Sequence, residues 1–423
     1  MTLIATPDPS PMFDAKAWRL TEQEQRLTGL ARDFGANTLT GRAHRWDTEA
    51  TFPLENYHDM HSNGLLGIGV PESHGGLGAD YRAYMLTAAE MGRFCGATAL
   101  TWNMHVCSTL WTGPLSDDLE LDDEASHAHE ARRQEHFRRI IEDGAIYSQP
   151  FSEGGAAAAG AAPWSTTATP VDGGWVINGK KIFASLSGFA DYYGILCGEV
   201  QASGKYSRRD TIYIAVPAKA DGVKVVGDWD PLGMRGTVSR TLIFEDVFVP
   251  DSAALMPHGL YFQAASRWPH MFMTLSPTYM GICQAAYDFT IAYLRGEIEG
   301  LPPVKRRQFP TKQLAVADMN VQLESAKALW FQAITEACAD PTKEQLMRAY
   351  TAQHVVMETA NSLCALAIRT CGGQSMLKTL PLERLYRDSR CGSLMLPWTA
   401  EICLDRLGKL ALYEDGESDD DDA

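Results

Sequence analysis

The chain has 423 residues, of which 45% are hydrophobic and 21% are charged, and this composition is typical of a globular protein with two or three packed units. Its formal net charge is −16, and seven acidic residues follow Lys409 without a compensating cation. We interpret residues 413–423 as a disordered acidic tail, with docking to a partner as the alternative. Because no basic stripe offsets the negative charge, a nucleic-acid partner is not expected.

No apolar run approaches the ~20 residues that a membrane span needs. The first ten residues, MTLIATPDPS, resemble neither a secretory nor a mitochondrial signal. The nine cysteines form no C-x-x-C pair and show no metal spacing. We therefore expect a cytoplasmic protein that has reduced thiols and neither a metal site nor a membrane partner.

Hydrophobic periodicity divides the chain into three blocks. Residues 1–144 read as an N-terminal α-helical domain, in which an acidic loop at 115–126 separates an apolar stretch at 83–111 from a charged helix at 130–143. Residues 145–255 read as a β domain, because the period there shifts towards two. Residues 256–412 read as a second helical domain. Helix, sheet and helix in this order indicate an α+β fold.

Within the β block, residues 175–183 predict two short strands that meet at an Asn-Gly hairpin turn. Residues 211–216 and 241–249 predict further strands. Residues 154–162 consist almost entirely of Gly and Ala and are expected to form a loop or closely packed backbone.

In the third block, the Gly-Leu-Pro-Pro run at 300–303 is expected to end the first helix. No G-x-G-x-x-G motif follows a predicted strand and there is no P-loop, so a nicotinamide or nucleoside-triphosphate enzyme is not expected. The predicted helices of this block cover residues 260–298, 311–339, 343–370, 378–390 and 398–412.

Four segments together resemble the acyl-CoA dehydrogenase family. They are residues 64–79 (GLLGIGVPESHGGLGA), the following helix with ATALT at 97–101 and His105, residues 228–250 with PLGMRGT and FEDVFVP, and CGG at 371–373 followed by PLERLYRD at 381–388. They occur in the family's order over residues 20–412. The resemblance implies a helical N-terminal domain, a central β-barrel-like domain and a C-terminal four-helix bundle, with FAD between the last two.

The resemblance also implies which residues contact the flavin ring. Phe151 and Ser152 lie in YSQPFSEGG, where the family has its Thr-Glu-Pro motif, and are expected near the pyrimidine side. Phe183 and Ser185 lie in KIFAS, where the family has Lys-x-Trp-x-Thr, and are expected to cover the ring and to bond its N5 region. A flavin needs hydrogen-bonding groups there because charge accumulates on the ring as it takes a hydride.

The remaining FAD contacts are implied at more divergent positions. Gly372 and Gly373 are expected to let backbone amides approach the pyrophosphate from a neighbouring subunit. Arg369 stands where relatives usually have Gln. The usual Arg-x-x-Phe-Gly contact is replaced by a loop containing Arg306, which either neutralises the pyrophosphate or is only a solvated basic residue. Thr399 and Glu401 are expected at the adenosine end.

The base on which the family's chemistry depends is missing from the sequence. In relatives a carboxylate removes the α-proton of an acyl thioester while the β-hydride passes to the flavin. Counting forward from Arg387-Asp388 places Leu396 at the base position, and counting back from Thr399 places Pro397 there. The position used by some other relatives, counted back from Gly281, falls on Met271 and Phe272. None of these side chains accepts a proton.

His270 and Arg267 are the nearest polar alternatives. A neutral imidazole is a base near pH 7, although Pro269 and the surrounding apolar residues also suit a packed structural His270. Glu401 lies more than a helical turn from the base position and is expected to point elsewhere.

Three hypotheses remain open at this stage. The first is an acyl-CoA or acyl-carrier-protein dehydrogenase with a displaced base, which passes electrons to an electron-transfer flavoprotein or to oxygen. The second is a flavin monooxygenase or desulfinase on the same scaffold, because oxygen activation and C–S cleavage need no α-proton base. The third is a non-catalytic FAD-binding subunit of a hetero-oligomer. The resemblance implies a homodimer or homotetramer.

Overall fold

The computed structural model describes residues 10–154, 163–395, 398–414 and 417. The first helical block contains six α-helices. Their bounds are α1 Glu22–Phe34, α2 Thr40–Glu49, α3 Leu54–Ser62, α4 Tyr81–Gly92, α5 Gly96–Thr112 and α6 Asp123–Ile141. A π-helical turn, Gly35–Leu39, joins α1 to α2. The segment beside α1 is bonded to α4, because Met12 N donates to the Glu90 carboxylate at 2.7 Å.

Two boundaries in this block differ from the sequence prediction. The apolar stretch at 83–111 forms two helices, because the helical conformation is interrupted at Arg93–Cys95 between α4 and α5. Helix α6 begins at Asp123 rather than near 130, because the Asp122 carboxylate accepts a hydrogen bond from Ala125 N at 2.8 Å and caps the helix there. The acidic loop is correspondingly shorter than predicted.

The central block is one seven-stranded sheet. Its strands are β1 Tyr147–Ser148, β2 Thr167–Val171, β3 Gly174–Ala184, β4 Tyr192–Glu199, β5 Thr211–Pro217, β6 Val223–Val226 and β7 Arg240–Pro250. They follow the order β1-β4-β2-β3-β7-β6, and β5 pairs with β4. Since β1 and β2 both pair in parallel with β4, at its opposite ends, the sheet curls around a buried interior. The predicted strands at 211–216 and 241–249 are confirmed.

The hairpin predicted at the Asn-Gly pair is wrong. Residues 174–184 form the single strand β3, and the Asn178–Gly179 step is an irregularity in its pairing with β7. The Asn178 side chain makes two hydrogen bonds to Asp246: Nδ2 donates to the carboxylate at 3.0 Å, and Oδ1 accepts from the backbone N–H at 2.9 Å. The Asn-Gly step therefore shifts the register between β3 and β7 and does not form a turn. The chain instead reverses at Asp172–Gly173, between β2 and β3, where Gly173 has φ +74°.

The second helical block forms the C-terminal bundle. Its helices are α7 Tyr261–Arg267, α8 Ser276–Arg295, α9 Pro310–Thr335, α10 Lys343–Cys371, α11 Pro381–Cys391 and α12 Ala400–Leu412. The helix predicted at 260–298 is divided, since a 3₁₀ segment, Pro269–Leu275, separates α7 from α8. Helices α8, α9 and α10 pack together, α11 and α12 pack on α10, and α4 packs on α8. Most of the predicted Gly/Ala loop and acidic tail lies outside the described residues.

Candidate functional site

A buried ion pair joins two of the segments that the sequence singles out. Lys181 Nζ lies 2.6 Å from Glu153 Oε1, and the two side chains are 0% and 2% exposed. Lys181 also donates to Leu196 O at 2.6 Å. The neighbouring backbones meet as well, because Ile182 N donates to Ser152 O at 2.8 Å. The segment with Ser152 is thereby fixed beside the end of β3.

Phe183, at the end of β3, has an unusual backbone and an exposed ring. Its φ is +50° and the residue is 66% exposed. A positive φ at a bulky residue costs about 1–3 kcal/mol and persists only where neighbouring contacts impose it. The ring lies edge-on to Trp229 at 6.4 Å, and Trp229 Nε1 is buried without a hydrogen-bond acceptor among the described residues. A planar ligand could stack on the exposed Phe183 ring and accept a hydrogen bond from Trp229 Nε1.

Ser185 lies half-buried beside Phe183, with its backbone fixed from two directions. Its N–H donates to Phe183 O at 3.0 Å, and Ser148 Oγ donates to Ser185 O at 2.6 Å. Its hydroxyl lies 2.8 Å from Ser239 Oγ. The structure thus places Phe183 and Ser185 side by side, with Ser152 on the adjoining segment.

Phe151 occupies an aromatic cluster between the sheet and α7. Its ring is edge-on to Tyr213 at 5.6 Å and to Tyr261 at 6.1 Å. The side chain therefore anchors the segment, and its backbone is the part left for a ligand. The Ser152 hydroxyl, in contrast, makes no hydrogen bond to another residue in the described part of the chain.

Arg306 lies close to the glycine pair at the end of α10. Its guanidinium stacks on the Tyr293 ring at 4.7 Å, and Tyr293 Oη donates to Gln374 Oε1 at 3.0 Å. These three side chains line a shallow depression in the surface. Gly372 ends α10 with φ +84°, a conformation that favours glycine, while Gly373 has open space where a Cβ would stand. A cation beside exposed backbone suits a phosphate group.

The other three residues predicted at the cofactor are more scattered. Arg369 is exposed on the last turn of α10. The Thr399 hydroxyl caps α12 by accepting from Ile402 N at 3.3 Å, and Glu401 is exposed on the first turn. The neighbouring Ala400 O meets His354 on α10 at 3.3 Å. His354 precedes Gly372 by eighteen residues, or about 27 Å along the helix. Within one chain, Thr399 and Gly372 therefore lie too far apart to contact the same part of a bound ligand.

Phe272, at one of the two base positions that the resemblance implies, packs among aromatic rings. Phe272 stacks on Tyr350 at 4.5 Å and lies 4.8 Å from Trp398, which directly follows Leu396 and Pro397, two residues outside the described part of the chain. Burial raises the pKa of the Tyr350 hydroxyl to about 12, so it stays protonated at pH 7. This cluster contains no ionised proton acceptor among its described residues.

His270 lies in the same 3₁₀ segment as Phe272 but on a different face. A 3₁₀ helix has 3.0 residues per turn, so side chains two positions apart do not point the same way. The His270 side chain is fully buried and neither ring nitrogen has a partner among the described residues. Burial lowers its pKa to about 4, so the ring is neutral at pH 7.

Arg267 is engaged away from the aromatic cluster. Its Nε donates to Asp340 Oδ2 at 2.9 Å, and Nη1 donates to the backbone carbonyl of Asp118. These contacts tie α7 to the loops on either side. The structure therefore gives Arg267 a tethering role rather than a place beside the base position.

Segments 231–237 and 381–388, which carry much of the family resemblance, also contact each other. Met234 N donates to Asp388 Oδ1 at 2.6 Å, and Arg387 forms a bidentate pair with Asp47 at 2.9 and 2.6 Å. Burial raises the pKa of Asp388 to about 6. These contacts join the sheet domain to both helical blocks. The residues that form them are far apart in sequence, so no local sequence pattern predicts the contacts.

The comparisons with known proteins agree with this geometry. Three sequence families match in order: acyl-CoA dehydrogenase N-terminal domain over residues 21–113, middle domain over 150–247 and C-terminal domain over 264–409. The short-chain specific acyl-CoA dehydrogenase of Rattus norvegicus mitochondria is 31% identical over 88% of this chain and 86% of its own.

Solved structures share the fold. Butyryl-CoA dehydrogenase of Megasphaera elsdenii has a TM-score of 0.77 at 23% identity, covering 93% of this chain and 99% of its own. Dibenzothiophene monooxygenase TdsC of Paenibacillus has a TM-score of 0.73 at 20% identity, covering 93% and 97%, and TdsC is also known with FMN bound.

Two helical blocks around a curled sheet, with an aromatic and hydroxyl pair at the end of β3, form the fold of the acyl-CoA dehydrogenase oxidoreductases. The chain belongs to the acyl-CoA dehydrogenase family. Within the described residues, no helix is long and apolar enough to cross a membrane, and no group of three or more His, Cys, Asp or Glu side chains is arranged to hold a metal ion.

Proposed function

We propose that the protein is an FAD-dependent oxidoreductase that dehydrogenates an acyl thioester between its α and β carbons. The observation that carries this proposal is the exposed Phe183 ring, fixed beside Ser185 by the buried Glu153–Lys181 pair. The 31% identity to a short-chain acyl-CoA dehydrogenase supports the substrate class.

The residues fit a flavin at three points. Phe183 offers an exposed apolar face, Trp229 offers an indole N–H without an acceptor, and Arg306 offers a cation with no carboxylate partner in the described residues. A flavin bound there supplies the acceptor for the hydride. The protein's own part is to hold the ring, to neutralise the phosphates and to keep water out.

The proton step sets this chain apart from its relatives. Phe272, at one implied base position, packs against Tyr350 and Trp398, and none of the three side chains is ionised to accept a proton at pH 7. His270 is a neutral acceptor in the same 3₁₀ segment as Phe272, and both of its ring nitrogens are free of partners in the described structure. We assign it the role of substitute base, to be tested by substitution.

The test is anaerobic addition of a panel of acyl-CoA esters to the FAD-loaded protein while the visible flavin absorbance is followed. Bleaching by one ester, with formation of its enoyl product, is the expected result. Replacing His270 by Gln is expected to slow bleaching by about 100-fold or more, the usual contribution of a general base. Trp268→Phe, a neighbouring change that removes no proton acceptor, is the matched control.

Each outcome decides a separate point. Bound FAD that no acyl thioester bleaches rules out dehydrogenation. Bleaching that is unaffected in His270→Gln keeps dehydrogenation and removes His270 from it. A preparation that binds FAD only with a second protein supports the non-catalytic subunit instead.

A second candidate is a flavin-dependent monooxygenase or desulfinase, favoured by the aromatic cluster itself. Phe272, Tyr350 and Trp398 form a packed apolar cluster without an ionised group among the described residues, which suits a reaction that removes no α-proton. Oxygen consumption by the chemically reduced protein, faster in the presence of an aromatic or sulfur-containing substrate, is expected for this candidate. No acceleration by any such substrate counts against it.

We also infer assembly into a homodimer or homotetramer, with an electron-transfer flavoprotein or oxygen as the electron acceptor. Apolar side chains next to the glycine pair are exposed in the single chain: Met376 by 66%, Leu377 by 54% and Phe309 by 50%. A neighbouring subunit would cover them and reach a phosphate at Gly373. Light scattering on the purified protein is expected to give a mass of two or four chains, and a monomer would contradict the inference.

A further inference from the structure

Three hydroxyl groups form a row that leads away from the candidate flavin site. Ser185 Oγ lies 2.8 Å from Ser239 Oγ, which lies 2.8 Å from Thr237 Oγ1, which donates to Met234 O at 2.9 Å. Ser239 and Thr237 are 7% and 1% exposed, whereas Ser185 is half-buried at the open end beside Phe183. The row therefore begins at the proposed ligand surface and ends inside the protein.

The carbonyl at the inner end sets the direction of every bond in the row. A carbonyl oxygen only accepts, and each hydroxyl has one proton to donate. Since Thr237 donates to Met234 O, Ser239 must donate to Thr237, and Ser185 must donate to Ser239. The proton of Ser185 is thus directed inward, and only its lone pairs remain for a group lying over Phe183.

The inner end is held rigidly, so this direction is not easily reversed. Met234 N donates to the buried Asp388 carboxylate at 2.6 Å, which orients the Met234 segment. Leu186 N donates to Thr237 O at 3.0 Å and fixes the neighbouring backbone. Reversing the row would break the hydrogen bond from Thr237 Oγ1 to Met234 O, which would then keep only the Thr237 N–H at 3.1 Å, and the loss of one such bond costs about 0.5–1.5 kcal/mol.

We propose that Thr237 and Ser239 are positioning residues that turn the Ser185 hydroxyl into a hydrogen-bond acceptor towards the flavin and so favour the reduced cofactor. This rests on the proposed placement of the flavin at Phe183 and Ser185. The N5 atom of an oxidised flavin carries a lone pair and accepts hydrogen bonds, whereas in the reduced flavin it carries a proton and donates. An acceptor held at that atom stabilises the reduced form, and a donor stabilises the oxidised form.

The test is the two-electron midpoint potential of the FAD-loaded protein and of its variants. In Ser239→Ala the Ser185 proton loses its inward acceptor and turns towards the flavin. We expect the potential to fall by about 30 mV, which corresponds to a tenfold change in the reduction equilibrium. In ¹⁵N-labelled oxidised flavin, the N5 resonance is expected to show a new hydrogen-bond donor. Ser239→Thr keeps the row and is expected to leave both readouts unchanged.

Thr237→Val provides an independent break in the row, with nearly the same side-chain shape and with Thr237→Ser as its control. Thr237→Val is also expected to lower the midpoint potential. It tests the proposal by itself if Ser239→Ala does not fold with a full complement of FAD. An unchanged or raised potential in the folded variants overturns the proposal.

Ser185→Ala separates this proposal from the one on which it rests. A shift in Ser185→Ala but none in Thr237→Val or Ser239→Ala leaves the flavin at Ser185 and refutes the role of the row. No shift in any of the three variants, with FAD bound, shows that the flavin does not contact Ser185, and both proposals then fail.

Discussion

At the scale of single residues, one buried charge pair, Glu153 and Lys181, joins the two segments that carry the candidate site. Glu153 accepts from Lys181 Nζ and from the backbone of Ser165 and Thr166 at 2.6 and 3.0 Å. The surrounding positive charge and hydrogen bonds lower the pKa of Glu153 despite the opposing effect of burial. The two buried charges therefore compensate each other, and removal of one leaves the other unpaired in the interior.

We expect Lys181→Met to destabilise the protein by about 3–5 kcal/mol, because it leaves the Glu153 carboxylate buried and unpaired. The double variant Glu153→Gln/Lys181→Met is expected to recover much of the loss, since no lone charge remains. Urea unfolding of the two variants and of the native protein measures both effects. Equal stability of the single and double variants would contradict this account.

At the scale of elements, the two helical blocks depend on a close crossing of α4 and α8. A Cβ on Gly281 would lie 2.4 Å from Ala89 O and 2.6 Å from Arg93 N, and one on Gly92 would lie 2.7 Å from Thr278 O. These neighbours are backbone atoms, which cannot move without displacing a helix. The glycines therefore set how closely the N-terminal helices approach the bundle.

Gly281→Ala is expected to lower the free energy of unfolding by about 1–3 kcal/mol or more, through overpacking at the crossing. Gly41→Ala, in the open surface of α2 with no atom within 4 Å of the new Cβ, is the control and is expected to stabilise by about 0.5–1 kcal/mol. Thermal unfolding of both variants provides the comparison. An unchanged free energy of unfolding in Gly281→Ala would show that α4 and α8 can move apart without loss of stability.

At the scale of the whole molecule, four buried histidines make the fold sensitive to mild acid. Burial lowers the pKa of His105, His129 and His270 to about 4, and burial together with Arg139 lowers that of His136 to about 3. An unfolded histidine titrates near 6.5. Between these values the unfolded chain binds more protons than the folded one, so stability falls as the pH falls.

We expect the free energy of unfolding to decrease from pH 7 to pH 5, by roughly 1 kcal/mol per pH unit for each histidine once the pH is below 6.5. His258 acts in the opposite direction, because its bond to Glu199 raises its pKa. Its contribution is complete below about 6.5 and is lost as the pH rises through the raised value. Urea unfolding at several pH values gives the slope, and His129→Phe is expected to reduce it. Equal stability at pH 7 and pH 5 would refute the prediction.

The sequence by itself determined the order of helical, sheet and helical blocks and the family to which the chain belongs. It also determined the strands around 211–216 and 241–249, and it singled out Phe183 and Ser185, which lie two residues apart at the end of β3. Such features depend on periodicity and on short motifs, which are local. The apolar residues Leu396, Pro397, Met271 and Phe272 stand where the resemblance implies a carboxylate, and the loss of that carboxylate stays a prediction.

Only the tertiary structure decided the features that depend on residues distant in sequence. Asn178 reads as a turn residue, yet Asp246, from β7, makes it a bulge. The partner of Lys181 is 28 positions away, and the partner of the Ser185 hydroxyl, Ser239, is 54 positions away. The same holds for the aromatic cluster, where α10 brings Tyr350 against both Phe272 and Trp398. Local patterns specify which residues can form strands, helices and ligand contacts, but packing in three dimensions selects their partners.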